Sequence, residues 1–244
     1  MDPITSTAAS GMKARLESLE MLANNLANVE TGGYKADREF YSLYMSQEAA
    51  ADPNFDGTGT MPLIETQWTD HSQGTLRDTS NPLDIALDGD GFIAVDTKQG
   101  TRYTRNGALR LSSNGVLTAS DGSPVRNSAG GNITLKSAQP VDILRDGTIQ
   151  QAGVTAGKLE LASFQNIDLT KMGASYFAAT LNAKPKTVTA QVLQGKIEGS
   201  NVGPAESAVR LVSILRQFEM LQKAVTIGNE MNRKAIDEIA KVTA

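Results

Sequence analysis

Residues 9–26 read ASGMKARLESLEMLANNL, and within them Ala9, Met12, Leu16, Leu19, Ala23 and Leu26 recur at alternating spacings of three and four. That period lays an apolar seam along one face of a helix. Pro3 suits a first helical turn, and Thr31-Gly32-Gly33 stops the run just after Val29. The spacing therefore predicts a rod of roughly 40 Å, at about 1.5 Å per residue.

The far end of the chain repeats the pattern. Gly203-Pro204-Ala205-Glu206 opens a second predicted helix, with Pro204 near its first position and Glu206 where a carboxylate complements the helix dipole. Ala208, Leu211, Leu215, Phe218, Val225, Ile236 and Ile239 keep the same beat, interrupted by Gln222, Asn229 and Asn232. A second stripe through Ile214, Leu221 and Ile227 widens the apolar surface beyond what one partner helix covers, so this helix is expected to touch several neighbours.

Between the helices the punctuation changes. Phe40, Tyr41, Leu43, Tyr44 and Met45 form a short apolar cluster, and residues 49–62, with Asp52-Pro53, Asp56-Gly57 and Gly59, read as a flexible connection. From Leu83 to about Ile197, Asp88-Gly89, Asp90-Gly91, Asn106-Gly107, Asn114-Gly115, Asp121-Gly122 and Asp146-Gly147 are hairpin-type dipeptides, because Asp or Asn before Gly tolerates positive φ. Short strand-like runs lie among them: Phe92–Val95, Leu109–Leu111, Val141–Leu144, Lys158–Leu161 and Val188–Val192. They predict a small barrel or sandwich with irregular extensions.

The reading is thus an α+β fold in which long N- and C-terminal helices pair as a coiled coil and the centre is an antiparallel β-domain of many short strands. Its segments are 1–46, the N-terminal helix with the apolar cluster after it; 47–74, a linker or extended segment; 75–200, the β-domain; and 201–244, the C-terminal helix.

A chain of 244 residues can bury a real core, and with only 5% aromatics that core is aliphatic. No cysteine is present, which excludes a disulfide scaffold and thiolate metal sites. Net charge is −4, no segment is strongly basic, and no Lys/Arg run interleaves with aromatics, so nucleic-acid binding is disfavoured. The apolar stretches fall short of a membrane span. Met1 to Gly11 lacks the cationic and apolar regions of a cleaved secretory signal, so any export is expected to use another route.

Several apparent sites dissolve on inspection. Gly89-Asp90-Gly91-Phe92-Ile93-Ala94 matches a dinucleotide fingerprint in form, but Phe92 continues into a strand rather than a helix, and a hairpin turn is the reading. Asp84, Asp88 and Asp90 lack the bidentate Glu of a calcium loop, since Val95 and Gln99 stand at the twelfth positions counted from Asp84 and Asp88. His71 is the only histidine, which rules out a His-based metal cluster, and it is expected at the surface near Trp68. Asn132-Ile133-Thr134 is a chance sequon. Asn24, Asn25 and Asn28 resist dismissal: three mediocre helix formers beside Ala23 and Ala27 suggest amides bonded to closely approaching neighbours rather than a solvated helix end.

Those asparagines belong to a longer motif. Ala23-Asn24-Asn25-Leu26-Ala27-Asn28-Val29-Glu30-Thr31-Gly32-Gly33-Tyr34-Lys35 resembles the N-terminal signature of bacterial flagellar rod and hook proteins, an Asn-rich helix end running into Thr-x-Gly-Tyr/Phe-Lys. Asn81–Leu87 through Gly91-Phe92, then Tyr103–Gly107, resembles that family's central domain, and Glu198-Gly199-Ser200-Asn201-Val202 resembles its lead into the C-terminal helix. The modest length argues against a hook protein, and Arg216–Met220 looks most like the proximal rod type rather than the distal one.

The resemblance implies a non-enzymatic axial protein, without catalytic residues, cofactor or metal. It implies export through the flagellar type III apparatus and assembly with copies of itself and other rod proteins in the periplasmic part of the basal body, into a helical tube that transmits torque. The expected assembly interface is Met12, Leu16, Leu19, Asn24, Asn25, Leu26, Asn28, Leu211, Leu215, Phe218, Val225, Ile236 and Ile239. Two rival classes are a secreted cell-wall-acting enzyme using carboxylates among Asp84, Asp88, Asp90 and Glu65, and a monomeric secreted binding module. Nothing raises those carboxylates above turn residues.

Overall fold

A computed structural model describes residues 3–44, 61–136, 139–173 and 175–242. Most of the connection read over 49–62 lies outside the described residues, as does Met45. The chain divides into two compact units, one of Met1–Leu26, Asp37–Trp68 and Gly203–Ala244, the other of Ala27–Ala36 and Thr69–Val202.

The first unit holds helix α1 (Pro3–Ala27), the strands β1 (Asp37–Tyr44) and β2 (Met61–Thr69), which pair as a two-stranded sheet, and the 39-residue helix α2 (Pro204–Val242). Phe40, Tyr41, Leu43 and Tyr44 thus lie on a strand. Helix α2 opens as its sequence predicts, with Ser207 N–H donating to the Gly203 carbonyl at 2.9 Å and Glu206 in the first turn.

In both helices the buried face is rotated from the predicted seam. On α1, Ala8, Gly11, Ala14, Ser18, Leu22 and Asn25 are buried, mostly small side chains. On α2, Ser207, Ile214 and Gly228 are buried with half-buried Leu221 completing a repeat of seven, so Ile214 and Leu221 of the second stripe lie inward while its Ile227 is exposed. Bulky apolar residues dominate a reading by periodicity, which gives little weight to small residues such as Ala14, Ser18 and Ser207.

Among the described residues the second unit contains fourteen short strands: β3 (Leu76–Asp78), β4 (Ile85–Asp88), β5 (Phe92–Thr97), β6 (Gly100–Thr104), β7 (Arg110–Leu111), β8 (Leu117–Thr118), β9 (Val141–Ile143), β10 (Thr148–Gln151), β11 (Val154–Lys158), β12 (Leu161–Ala162), β13 (Leu169–Met172), β14 (Tyr176–Ala179), β15 (Gln191–Gln194) and β16 (Lys196–Glu198). Their ladders run antiparallel. They form sheets ordered β12-β5-β6-β14-β13, β11-β10-β9, β15-β4, β16-β3 and β7-β8, stitched by bridges such as Val95↔Val125 and Asn127↔Leu159. One aliphatic core, including Ile85, Ile93, Leu117, Ile133, Ile149 and Val192, unites them. Each such side chain contributes about 1.5–3 kcal/mol on burial.

Three of the predicted turn dipeptides close hairpins. Asn114-Gly115 joins β7 to β8, Asp146-Gly147 joins β9 to β10, and Asp121-Gly122 sits under the Thr118↔Pro124 bridge, with each glycine at positive φ. Asp88-Gly89 through Gly91 instead connects β4 to β5, which belong to different sheets, so it turns the chain without closing a hairpin. Lys158–Leu161 splits between β11 and β12, and of Val188–Val192 only Gln191 and Val192 enter a strand.

Candidate functional site

Asn25, at the end of α1, bonds the backbone of the first residue of β1 at two points. Its amide nitrogen donates to the Asp37 carbonyl at 2.8 Å, and its amide oxygen accepts from Asp37 N–H at 3.0 Å. This reproduces the two reciprocal bonds of a hydrogen-bonded pair in an antiparallel ladder. Two residues on, buried Glu39 accepts from the Arg210 guanidinium of α2 at 2.6 Å. Both helices of the first unit are therefore tied to β1 by polar side chains.

The predicted interface residues face outward more than inward. Leu16 is 49% exposed, Leu215 43% and Ile236 66%. Met12, Leu19, Leu26, Leu211, Phe218 and Val225 are half-buried, Asn24 is exposed, and Asn28 is half-buried and accepts a bond from the Thr31 hydroxyl at 3.1 Å. The Ile239 side chain lies outside the described ones. Val209, Val212, Met220, Ile227 and Met231 extend the exposed apolar surface of α2.

A site that sequence reasoning missed lies within the second unit. Lys35, Arg105 and Glu198 are buried, at 0%, 3% and 0% exposure. The Lys35 ammonium donates to Glu198 Oε1 at 2.5 Å and to the Ser72 carbonyl at 2.7 Å. The Arg105 guanidinium donates to Glu198 Oε2 at 3.2 Å and to the Gly89 carbonyl at 2.7 Å, and it lies 5.3 Å from the centre of the Phe92 ring. Gly74 N–H gives Glu198 Oε1 another donor at 2.9 Å. One carboxylate thus answers two cations. Burial pulls the Lys35 ammonium below the ordinary lysine range, with Glu198 opposing the shift.

Glycines let the backbones meet around this triad. Gly33, at φ +66°, donates to the Glu198 carbonyl at 2.8 Å, and a Cβ there would stand 2.4 Å from the backbone of Arg105 and Asn106. A Cβ on Gly74 would meet the Gly199 carbonyl at 2.2 Å. Asn201 then gathers the places where the chain enters or leaves the unit. Its amide oxygen accepts from Ala36 N–H at 2.7 Å, and its amide nitrogen donates to the Asp70 carbonyl at 2.7 Å. Tyr34, Ala36 and Val202 pack beside it as a small second core, and the Lys171 ammonium lies 3.9 Å from the Tyr34 ring centre.

His71 is not the surface residue expected. It sits half-buried in this same region, its ring edge-on to Phe92 and Phe177 at centroid distances of 5.7 and 5.1 Å. Asp84 is held in its turn by the Asn81 amide at 2.9 Å. Among the described residues no helix is long and apolar enough to cross a membrane.

Three family profiles match the chain. One, described as flagella basal body rod protein, covers residues 6–35; a second, flagellar hook protein FlgE/F/G D1 domain, covers 86–151; a third, flagellar basal body rod FlgEFG protein C-terminal, covers 193–238. The flagellar basal-body rod protein FlgF of Caulobacter vibrioides is 29% identical over 99% of this chain and 100% of its own length. FlgG of Bacillus subtilis is 31% identical over 93% of this chain and 96% of its own, and FlgF of Salmonella typhimurium 30% over 96% and 97%. The buried triad takes one residue from each matched segment: Lys35 from the first, Arg105 from the second and Glu198 from the third.

Proposed function

Because this chain belongs to the flagellar basal-body rod protein family and is a structural subunit of the rod, we propose that it polymerises helically into the proximal drive shaft that carries torque across the periplasm. In this reading α1 and α2 pair as a coiled coil in an inner axial layer, covering residues 1–46 and 201–244, and the β-domain of 75–200 forms an outer layer. A helical tube needs contacts that do not close on themselves, so each subunit presents two different complementary surfaces.

The observation that carries the proposal is the set of exposed apolar side chains on α2, with Val209, Val212, Met220, Ile227 and Met231 along one side and Leu215 and Ile236 on others, together with Leu16 on α1. Large apolar side chains left exposed in such number along one helix mark protein contact sites. Neighbouring copies and other rod proteins cover them, and the flagellar export apparatus delivers the subunit. The role is mechanical and draws on no catalytic group, cofactor or metal.

Position along the shaft is open to direct test. The Arg216–Met220 character supports the proximal reading, while the FlgG relatives of comparable identity support a distal one. Antibody labelling of purified basal bodies separates them: label at the cell-proximal end of the rod fits the first, and label confined to the outer end fits the second. A purified rod without this subunit would contradict both.

A further inference from the structure

His71 stands where the junction's charges and its aromatic cluster meet. On one side Phe92 and Phe177 pack edge-on against its ring and against each other, at 5.4 Å. On the other, the charged groups that weigh most on it are the cations Lys35, Arg105 and Lys171, opposed by Asp70, and Glu198 pairs with the first two of those cations. Its Nδ1 is buried and has no hydrogen-bond partner among the described residues.

The residues on either side of His71 carry the junction's bonds. Asp70 N–H donates to the Ala36 carbonyl at 2.8 Å, the Asp70 carbonyl accepts from Asn201, and the Ser72 carbonyl accepts from Lys35. A ring that gained a proton here would place a further cation near Lys35, Arg105 and Lys171, where the described residues offer Nδ1 no acceptor. It would have to leave, and Asp70 to Ser72 would move with it.

We propose that His71 is an acid-sensitive release for this junction: neutral, it seats the Asp70–Ser72 segment, and protonated, it withdraws that segment and frees the bonds to Lys35 and Asn201. Burial, reinforced by Lys35 and Arg105, lowers its pKa from 6.5 to about 4, so the seated form holds at neutral pH. The sign follows: a base whose folded pKa is depressed contributes stability above about 6.5 that is lost as pH falls towards 4.

Since His71 is the only histidine, its ring proton resonances in the full chain are unambiguous by NMR. Their titration midpoint is expected near 4, and a midpoint near 6.5 in the folded protein would overturn the proposal. Hydrogen exchange at the Asp70 amide, which donates to the Ala36 carbonyl, reads the junction itself. Corrected for intrinsic rates, opening should rise about thirtyfold between pH 7.5 and pH 5. In His71→Gln and His71→Phe the rise should vanish. A pH-independent opening in the wild-type chain, or an equal rise in a folded variant, contradicts the release. If neither variant folds, the two wild-type measurements still decide.

Discussion

Lys35 and Glu198, 163 residues apart in sequence, meet at 2.5 Å with neither side chain exposed. This bond ties the segment after α1 to the segment before α2, and Arg105 shares its carboxylate. Glu198→Gln keeps the shape and removes the charge, leaving two buried cations unanswered. We predict a loss of roughly 3–5 kcal/mol in denaturant unfolding of the full chain, the usual consequence of removing one member of a buried pair. A loss under about 1 kcal/mol would mean that water reaches the triad.

Gly33 offers a second test of the same junction. Ala there combines positive φ with a Cβ 2.4 Å from the Arg105 backbone, whereas a Cβ on Gly130, also at positive φ, would have nothing within 4 Å. Gly130→Ala is predicted to cost about 1–2 kcal/mol from the backbone alone. Gly33→Ala should cost about 1–3 kcal/mol more, from the added overpacking. Equal losses in thermal or denaturant unfolding would refute the close approach.

Asn25 and Asn24 adjoin in sequence and differ in surroundings. Asn25 is 6% exposed and bonds both backbone groups of Asp37, while the Asn24 side chain faces outward. Asn25→Ala is expected to destabilise by about 1–3 kcal/mol, since Asp37 loses both partners. Asn24→Ala is predicted to cost less in the isolated chain. Circular dichroism melts of the two variants check the order, and the reverse order would place the structural amide at Asn24.

Much of this architecture is legible in the chain's local signals. Both helices start where Pro3 and Pro204 predict, because a proline suits the first helical turn whatever lies elsewhere in the fold. Asn114-Gly115 and Asp146-Gly147 mark hairpins for the same local reason. The rotated helix faces are not legible, since periodicity weighs Leu16 and Leu215 above Ala14, Ser18 and Ser207, and it is the small residues that are buried. The triad is hidden more deeply: Lys35, Arg105 and Glu198 each look like ordinary surface charges. The adjoining glycines at 33, 74 and 199 are the available signal, because glycines beside a charge permit the backbone approach that buries it.

The central claim is that the exposed apolar faces of the terminal helices are subunit contacts in the rod. Leu215, 43% exposed, and Ile214, 4% exposed, are neighbours on α2 that separate assembly from folding. Ile214→Asp should destabilise the free subunit by several kcal/mol through a buried, unpaired charge. Leu215→Asp should leave it within about 1 kcal/mol of wild type, as substitutions at exposed positions do. The decisive measurement is the amount of Leu215→Asp subunit in basal bodies purified from cells that export it normally. The account predicts a folded, exported subunit absent from the rod and cells without motility; incorporation and motility at wild-type levels would contradict it.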